Sequence, residues 1–319
     1  MKMANPTTLT AGIDTGKEKL DIAVHGRAGA LVVANDARGW KKLTAHFAAT
    51  GVGRVGIEAT GGYERGVVRH LQAAGLIVVV LQPLQVKAFA QLHLRRAKND
   101  RLDAALIAAC TSMMPDPMTA PDPRLQALTD QLTFIEQQEE DIARLKTRLE
   151  HVEDQRLARI IKADIKRIGT RRAAELRRLL AAVRAEADLA RRLELVISIP
   201  GIGERTALAL ILRMPELGRI RREEAASLAG LAPFVHQSGK HKGETHIGGG
   251  RSRLRRSLFA AAVPASFRWN PALMALYARL TQRGKPPVSA LTACARKLLV
   301  FANTVLARGT PWRQDQVPA

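Results

Sequence analysis

The sequence predicts an α/β domain with a mixed sheet, then a long helical hairpin, then a mainly α-helical domain. Residues 8–35 contain three short strand patterns separated by glycines, and helix and strand patterns alternate after them. A run rich in proline and aspartate follows, and a long helical pattern begins at Arg124. These changes predict a domain over residues 1–114, a linker over 115–123, a hairpin over 124–193, a second domain over 194–308 and a loose tail over 309–319.

Positive charge is concentrated in the last third of the chain. The net charge is +21, of which residues 1–123 carry +5, residues 124–192 carry +4 and residues 193–319 carry +12. Nucleic acid is the polyanion that fits, because each phosphate neutralised by Lys or Arg releases counterions. Aromatic residues make up 4%, so base stacking is not expected to be the main contact. Trp269 and Tyr277 have two possible roles, packing and contact with nucleic acid, and packing is the expected one.

Other classes of protein are disfavoured by what the sequence lacks. No basic amphipathic helix with aromatic anchors stands out, no apolar run is as long as a membrane span, and no signal pattern opens the chain. Cys110 and Cys294 lie in apolar helical contexts, without the spacing of a metal site or a disulfide framework. We expect a cytoplasmic protein that associates with DNA and not with a membrane.

Two carboxylates open a predicted helix that runs from Asp100 to about Ser112. Asp100 and Asp103 are three residues apart, so they share one face of that helix. Acids are also common in first turns, where the helix dipole favours them, and Asn99 would act as the N-cap. Taken alone, this structural explanation is the stronger one.

Two further acids end predicted strands. Asp14 ends the first strand and Glu58 ends the fourth, and ligand sites in open α/β sheets lie just beyond such strand ends. Each acid also has a simpler explanation, as a turn residue or as an acid at a helix start. Four carboxylates that meet at one place repel one another unless cations lie between them. A site made of carboxylates alone suits Mg²⁺ or Mn²⁺.

The order strand-Asp, strand-Glu, helix-Asp-x-x-Asp is similar to that of the RNase H/RuvC-like nuclease fold. Three stretches resemble one branch of it: Gly-Ile-Asp-Thr-Gly-Lys (12–17), Ile-Glu-Ala-Thr-Gly-Gly-Tyr (57–63) and Ala-Lys-Asn-Asp-Arg-Leu-Asp-Ala (97–104). That branch is the DEDD transposases of insertion sequences, which are related to the pilin-gene invertases and act as bridge-RNA-guided recombinases. The first stretch is weak alone, because actin-like ATPases share it. The third stretch carries the resemblance.

The resemblance implies roles for these residues and partners for the chain. Asp14, Glu58, Asp100 and Asp103 occupy the family's four acidic positions and would hold Mg²⁺ or Mn²⁺, with Lys98 as a nearby phosphate contact. The implied partners are the DNA of the element ends and the target, a structured guide RNA, and further copies of the chain. The implied assembly is a homodimer that becomes a dimer of dimers on DNA.

The helical pattern after Arg124 predicts a coiled-coil hairpin. Apolar residues keep a 3-4 spacing over four heptads, from Leu125 to Val152. The return is predicted as two helices, Gln155–Ile168 and Thr170–Leu193, with Gly169 between them. A dimerisation arm is the simplest role and is also implied by the resemblance. The alternative is a hairpin that packs inside its own subunit.

A Pro-Gly-apolar-Gly turn joins two predicted helices at residues 200–203. It resembles the helix-hairpin-helix element, in which Gly201 and Gly203 allow a close approach and N–H groups at the next helix start hold a phosphate. Contacts of this kind position a nucleic-acid backbone without reading its sequence. The alternative is an ordinary packing corner between two helices.

A serine lies among glycines and cations in the last third of the chain, in a segment expected to be a loop. Cationic side chains there would stabilise phosphate, and Gly248–Gly250 would form a phosphate cradle before a basic helix. The expected nucleic-acid contacts are Lys240, Lys242, Arg251, Arg253 and Arg255. A Ser-Gly pair is far more often a turn than a nucleophile.

The family resemblance changes the interpretation of that serine. In the family, a serine in a Gln-Ser-Gly context is the nucleophile of the C-terminal domain, and Ser238 matches it. The family motif continues with Gly-Gly-Asn, whereas this chain has Gly248-Gly249-Gly250-Arg251, so the details of that phosphate contact are not carried over. Ser252 and Ser257 are nearby, but both fall in the basic helix.

We therefore predict a DNA recombinase that cuts and rejoins strands of its own mobile element. Ser238 would attack with help from the metal-bound acids and form a covalent link that conserves the bond energy. The resemblance implies that Ser238 of one subunit meets the acids of another. The alternatives are a junction-resolving nuclease that uses the same acids with water, a non-enzymatic packaging protein, and an actin-like ATPase, which would need a second phosphate loop that the sequence lacks.

Overall fold

The structure, a computed structural model, describes residues 9–92, 100–115, 122–238 and 241–313. The chain forms two compact units, and the boundary between them falls between Pro121 and Asp122. Lys98 and Lys240, both predicted to contact phosphate, lie outside the described residues. The side chains of Asp100, Ser238 and Lys242 also lie outside them.

The first unit is built on a five-stranded mixed sheet. The strand order is β3-β2-β1-β4-β5, with β1 antiparallel to β2, β2 antiparallel to β3, and β4 parallel to both β1 and β5. The strands are β1 (Leu9–Thr15), β2 (Lys19–Val24), β3 (Leu31–Ala34), β4 (Val52–Glu58) and β5 (Ile77–Leu81). The helices are α1 (Ala37–Thr50), α2 (Arg65–Ala73), α3 (Pro83–Leu92) and α4 (Asp100–Met113). The mixed α/β fold expected from the sequence is confirmed.

The two faces of this sheet are packed in different ways. On one face, alternate strand residues such as Ile13 and Ile57 are fully buried with Leu43 and Phe47 of α1. On the other face, the alternate positions include Gly12 and Gly56, and α4 lies against them. Residues two apart in a strand share a face, so Asp14 and Glu58 belong to the α4 face.

The second unit is mainly helical, as predicted. Its helices are α5 (Pro123–Glu150), α6 (Gln155–Ala185), α7 (Ala187–Ile197), α8 (Glu204–Arg213), α9 (Arg222–Leu228), α10 (Ser252–Pro264), α11 (Pro271–Gln282) and α12 (Pro287–Arg308). A π-helical turn, Ala265–Trp269, joins α10 to α11, and strands β6 (Pro233–Ser238) and β7 (His241–Ile247) form a hairpin. One hydrophobic core connects the near end of the α5–α6 hairpin with α7, α8, α10 and α12.

The α5–α6 hairpin differs from its prediction in where it breaks. Helix α6 continues through Gly169 and ends at Ala185, where Glu186 takes an extended backbone before α7. A glycine inside a helix costs only about 1 kcal/mol, which the rest of a 31-residue helix offsets. The predicted break at Gly169 is therefore wrong. The apolar positions of α5 beyond residue 140, from Ile142 to Leu149, are only partly buried within the chain.

Two features of the C-terminal segment also differ from prediction. Helix α12 is long and apolar enough to cross a membrane by length and composition, although half of its most apolar window is buried inside the unit. Residues just after it do not form a loose tail, because Trp312 packs on Phe301 with 4.4 Å between ring centroids. The Trp312 backbone N–H also donates to Ser198 Oγ at 2.8 Å.

Candidate active site

Helix α4 approaches the sheet closely because glycines face it. A Cβ atom at Gly12 would lie 2.2 Å from the Ala108 nitrogen and 2.3 Å from the Ala104 oxygen. A Cβ at Gly56 would lie 1.7 Å from Thr111 Oγ1. Any side chain at these two positions would push the helix away from the sheet.

The direction of α4 brings its first turn to the carboxyl ends of the strands. Arg54, at the start of β4, donates to the carbonyl oxygens of Met114 (2.6 Å) and Pro115 (3.1 Å), just after α4 ends. Four helix residues span about 6 Å and two strand residues about 6.6 Å. Ala104 lies over Gly12. The first turn of α4, which begins at Asp100, therefore lies level with Asp14.

Three of the four predicted acids therefore belong to one edge of the sheet. Ile13 pairs with Ile57 in the parallel β1–β4 register, so Asp14 and Glu58 follow side by side on adjacent strands, about 4.8 Å apart in backbone position. Asp103 immediately precedes Ala104 on the facing helix. All three side chains are partly buried. The backbone of Asp100 begins the same helix.

The donor set of this edge suits a hard divalent cation. Carboxylate oxygens are the ligands that Mg²⁺ and Mn²⁺ prefer. Within the described part of the chain, no three carboxylate, imidazole or thiol side chains are already gathered closely enough to hold a metal ion. The fold thus brings the backbones of Asp14, Glu58 and Asp103 to one edge of the sheet. Their side chains are not gathered into a set that surrounds an ion.

A fifth acid on this face was missed by sequence reasoning. Asp21 of β2 is the register partner of Asp14, so both side chains lie on the same face of the sheet. Asp21 is 6% exposed and pairs with Lys19 Nζ at 3.0 Å. The signal was present in the sequence, because Asp21 alternates with Leu20 and Ile22 and must point away from their side of the sheet.

A second missed residue joins the two loops at this edge. The Asn35 side-chain amide donates to the carbonyl oxygens of Gly16 (2.9 Å) and Tyr63 (3.1 Å). Its oxygen accepts from Trp40 Nε1 at 2.9 Å. Because Gly16 follows Asp14 and Tyr63 follows Glu58, Asn35 fixes the two acid-bearing loops against each other. Nothing local in the sequence distinguishes Asn35 from an ordinary turn asparagine.

Ser238 lies in the second unit, at the end of a strand. It is the last residue of β6 and pairs in register with His241, so it stands at the turn of a two-stranded hairpin. The expectation of a loop over this segment is wrong, because residues 233–238 and 241–247 form two antiparallel strands. Ser252 begins α10 and Ser257 lies within it, as expected for ordinary helix positions.

The predicted phosphate-binding arginines of α10 are engaged inside the unit. Arg251 pairs with Glu216, and Arg253 pairs with Glu136 (3.1 Å) and Glu140 (3.3 Å). Arg255 donates to the carbonyl oxygens of Gly249 (2.7 Å) and Gly230 (3.3 Å). The sequence predicted the basic helix that carries Arg253 and Arg255, but it could not show that acids of the distant helix α5 pair with Arg253.

Glu136 is the centre of that charge network. It is 5% exposed and contacts Arg213 at 2.6 Å and Arg205 at 3.2 Å, besides Arg253. Burial lowers the pKa of Arg213 most, and the nearby Glu136 carboxylate acts in the opposite direction. On the same helix, the pKa of Glu140 is lowered, first by its hydrogen bond from Arg256.

The two glycines of the predicted helix-hairpin-helix turn play different parts. Gly201 has φ of +99°, and a Cβ there would lie 2.3 Å from Ala265 Cβ. Gly203 takes an extended backbone at the start of α8, with open space around it. Gly201 is therefore needed for packing against the π-helical turn, and phosphate binding by either residue stays a prediction.

Comparison with known proteins accounts for both units. A family profile for DEDD transposases of the IS110 type matches residues 11–160. A second profile, described as the transposase IS116/IS110/IS902 family, matches residues 193–278. The chain belongs to the IS110 family of transposases. It is a DNA recombinase enzyme, as the sequence predicted.

Two relatives of this IS110-family transposase cover different shares of its length. It is 29% identical to the pilin gene-inverting protein of Moraxella bovis over 317 residues, which is 94% of this chain and 96% of the relative. It is 34% identical over 124 residues to an uncharacterized 43.6 kDa protein of the insertion element IS110 in Streptomyces coelicolor, which is 38% of this chain and 30% of that protein.

Solved structures give a fainter likeness. Thermus thermophilus RuvC in complex with a Holliday junction substrate aligns with 33% of this transposase and 93% of its own chain, at 19% identity and a TM-score of 0.27. A second RuvC structure aligns at 21% identity and a TM-score of 0.23. At these scores the likeness adds nothing to the fold described above.

Proposed function

We propose that this transposase cleaves and rejoins DNA by attack of Ser238 at a phosphate, with a carboxylate site assisting. The carboxylate site is supported by the meeting of Asp14, Glu58 and the first turn of α4 at one sheet edge. The role of Ser238 is supported by its match to the serine of the family's Gln-Ser-Gly motif. Asp14, Glu58, Asp100 and Asp103 would hold Mg²⁺ or Mn²⁺. When bound, such an ion supplies charge stabilisation of the phosphate and of the leaving oxygen.

The reaction conserves the number of phosphate ester bonds. Ser238 Oγ forms a new bond to phosphorus as one sugar oxygen leaves, so the broken DNA bond is replaced by a phosphoserine link. The serine loses its proton, and the departing sugar oxygen gains one. A hydroxyl of another strand then attacks the same phosphorus, which releases Ser238 and joins the new pair of strands.

The α5–α6 hairpin supports an assembly of more than one copy. On its outer half, Leu157 and Ile160 are 42% and 49% exposed, and their three-residue spacing places them on one face of α6. Contiguous exposed apolar patches mark interaction sites. We propose a dimer formed through this arm, and a dimer of dimers on the element ends. We propose a structured RNA as the guide, as the family resemblance implies.

The decisive experiment follows protein–DNA adducts on a denaturing gel. Purified protein is incubated with element-end DNA, candidate RNA and Mg²⁺, as wild type and as Ser238→Ala. We expect a covalent adduct with the wild type and none with Ser238→Ala. Ser257→Ala is the matched control, because it removes the same hydroxyl from the neighbouring basic helix and should leave the adduct unchanged.

A metal-dependent nuclease that uses water is the competing function. It predicts that cleavage persists in Ser238→Ala and that no adduct forms with either protein. That outcome would remove Ser238 from the mechanism and leave the carboxylate site as the sole catalytic centre.

The acids are tested by removing one charge at a time. We expect Asp103→Asn to lower the cleavage rate by about 100-fold or more, because the transition-state charge loses its stabilisation. Asp130→Asn, the same change on α5, should have no effect on the rate. Full activity of Asp103→Asn would contradict the carboxylate site, and an unchanged melting curve would show that any loss is chemical.

A further inference from the structure

The π-helical turn between α10 and α11 presents two large aromatic side chains to solvent. Phe267 and Trp269 are each 55% exposed, and Arg268 between them is exposed as well. The flanking residues Ser266 and Asn270 are buried. The expectation that Trp269 packs in the interior is therefore wrong, whereas Tyr277 is partly buried against the core. Exposed Phe and Trp side chains forgo much of their burial free energy, so their position calls for a function.

The turn is held firmly in place. The Asn270 side chain accepts from the Leu273 backbone N–H (3.2 Å) and donates to the Pro200 carbonyl oxygen (3.0 Å). Phe267 packs edge-on against Tyr277, with 4.9 Å between ring centroids. The aromatic rings therefore stand on a fixed support, as a binding surface requires. Single π-helical turns are frequent at functional sites.

The charge around the turn points to a polyanion. Residues 251–313 contain twelve Lys and Arg residues and no Asp or Glu. Within the described residues, the Arg268 side chain makes no ion pair or hydrogen bond. The pKa of Lys297 is lowered, first by burial and then by the cations Arg279 and Arg222, so helices α9, α11 and α12 bring like charges together. A second copy of the chain would bring the same charges against this surface, which disfavours self-association there.

We propose that Phe267, Arg268 and Trp269 bind unpaired nucleotides of single-stranded DNA. The two rings stack on bases, and the guanidinium contacts a backbone phosphate. The inference rests on the proposed strand exchange, since strands that change partners must unpair. Stacking is tolerant of sequence because every base has an aromatic face, so the contact suits an enzyme whose target is chosen by other means.

Binding in the absence of chemistry tests the surface directly. The full-length protein is titrated with a fluorescein-labelled single strand of about 20 nucleotides, enough to cover one surface, in EDTA and over a range of salt concentrations. We expect Trp269→Ala to bind about 5- to 100-fold more weakly, the loss of one stacked base, and Trp269→Phe to lose about threefold or less. The slope of the logarithm of the binding constant against the logarithm of the salt concentration should be smaller in magnitude by about 0.7 in Arg268→Ala. It should stay unchanged in Trp269→Ala.

The control is Val288→Ala, which trims a side chain that is 66% exposed in the same unit and should bind as the wild type does. Equal affinity of Trp269→Ala and Val288→Ala would overturn the proposal. The proposal would also be overturned if Trp269→Ala lost affinity only for single-stranded RNA of the same sequence. It would be overturned too if Trp269→Ala changed the molar mass of the protein, measured by light scattering, and left its DNA affinity unchanged. Because EDTA prevents cleavage, failure of the serine mechanism leaves this result standing, and the reverse also holds.

Discussion

The two units hold their acids in opposite ways. In the first unit, strand pairing sets the backbones of Asp14 and Glu58 side by side, and Gly12 and Gly56 let α4 lie directly on the sheet. In the second unit, Glu136 is held by three arginines from α8 and α10. The comparison indicates that the first unit depends on close packing of backbone atoms where α4 meets the sheet. The second unit depends on charge for its packing.

Glu136→Gln should have the largest effect on stability. It keeps the side-chain volume but leaves Arg213, whose side chain is 13% exposed, with an uncompensated buried charge. Breaking a buried pair in this way costs about 3–5 kcal/mol, measured as the free energy of unfolding in urea. Glu139→Gln is the matched control, because its side chain is 34% exposed and such pairs contribute about 1 kcal/mol or less. Equal losses in the two variants would remove the distinction between the units.

Gly12→Ala tests the backbone packing of the first unit. The new methyl group would meet backbone atoms of Ala104 and Ala108 that cannot rotate away, so we expect a loss of about 1–3 kcal/mol. Gly169→Ala is the comparison, because a Cβ there meets nothing within 4 Å and the change should stabilise helix α6 by up to about 1 kcal/mol. Thermal unfolding followed by circular dichroism measures both. A neutral Gly12→Ala would mean that α4 is free to shift.

The smallest effect is expected at the start of the second unit. Arg124 pairs with Asp122, Glu186 and Asp188, and its hydrogen bonds are the main cause that lowers the pKa of Asp122 and Asp188. A lowered folded-state pKa stabilises the fold above the unfolded value of 3.8 and loses that stabilisation as the pH falls below it.

Arg124→Gln should therefore be slightly less stable than the wild type at pH 7, and the difference should vanish in acid. Urea unfolding at several pH values measures it. A difference that persists unchanged below pH 3.8, the ordinary value for these carboxyls, would mean that the arginine acts through packing and not through charge.

What the sequence predicted well was periodic or local. The strands of the first unit, the helix that begins at Asp100 and the edge at which Asp14 and Glu58 meet all follow from alternation, chain order and the rules of α/β topology. The residues that were missed act across distance. Asn35 joins two loops, Glu136 gathers arginines from helices about 70 to 120 positions further along, and Trp269 differs from a core tryptophan only in which way its turn faces.

The glycines beneath α4 set its distance from the sheet, while Leu106, Ile107 and Cys110 of α4 share a buried cluster with Val79 and Leu81 of β5. Arg54 adds a contact at the far end of the helix, where it holds the carbonyl oxygens of Met114 and Pro115 just after α4. Arg54 thus acts as an end stop, because a slip of one residue would carry Asp103 about 1.5 Å along the strands. The alignment of the acids at one end of the strands is therefore supported from the other end, a full helix length away.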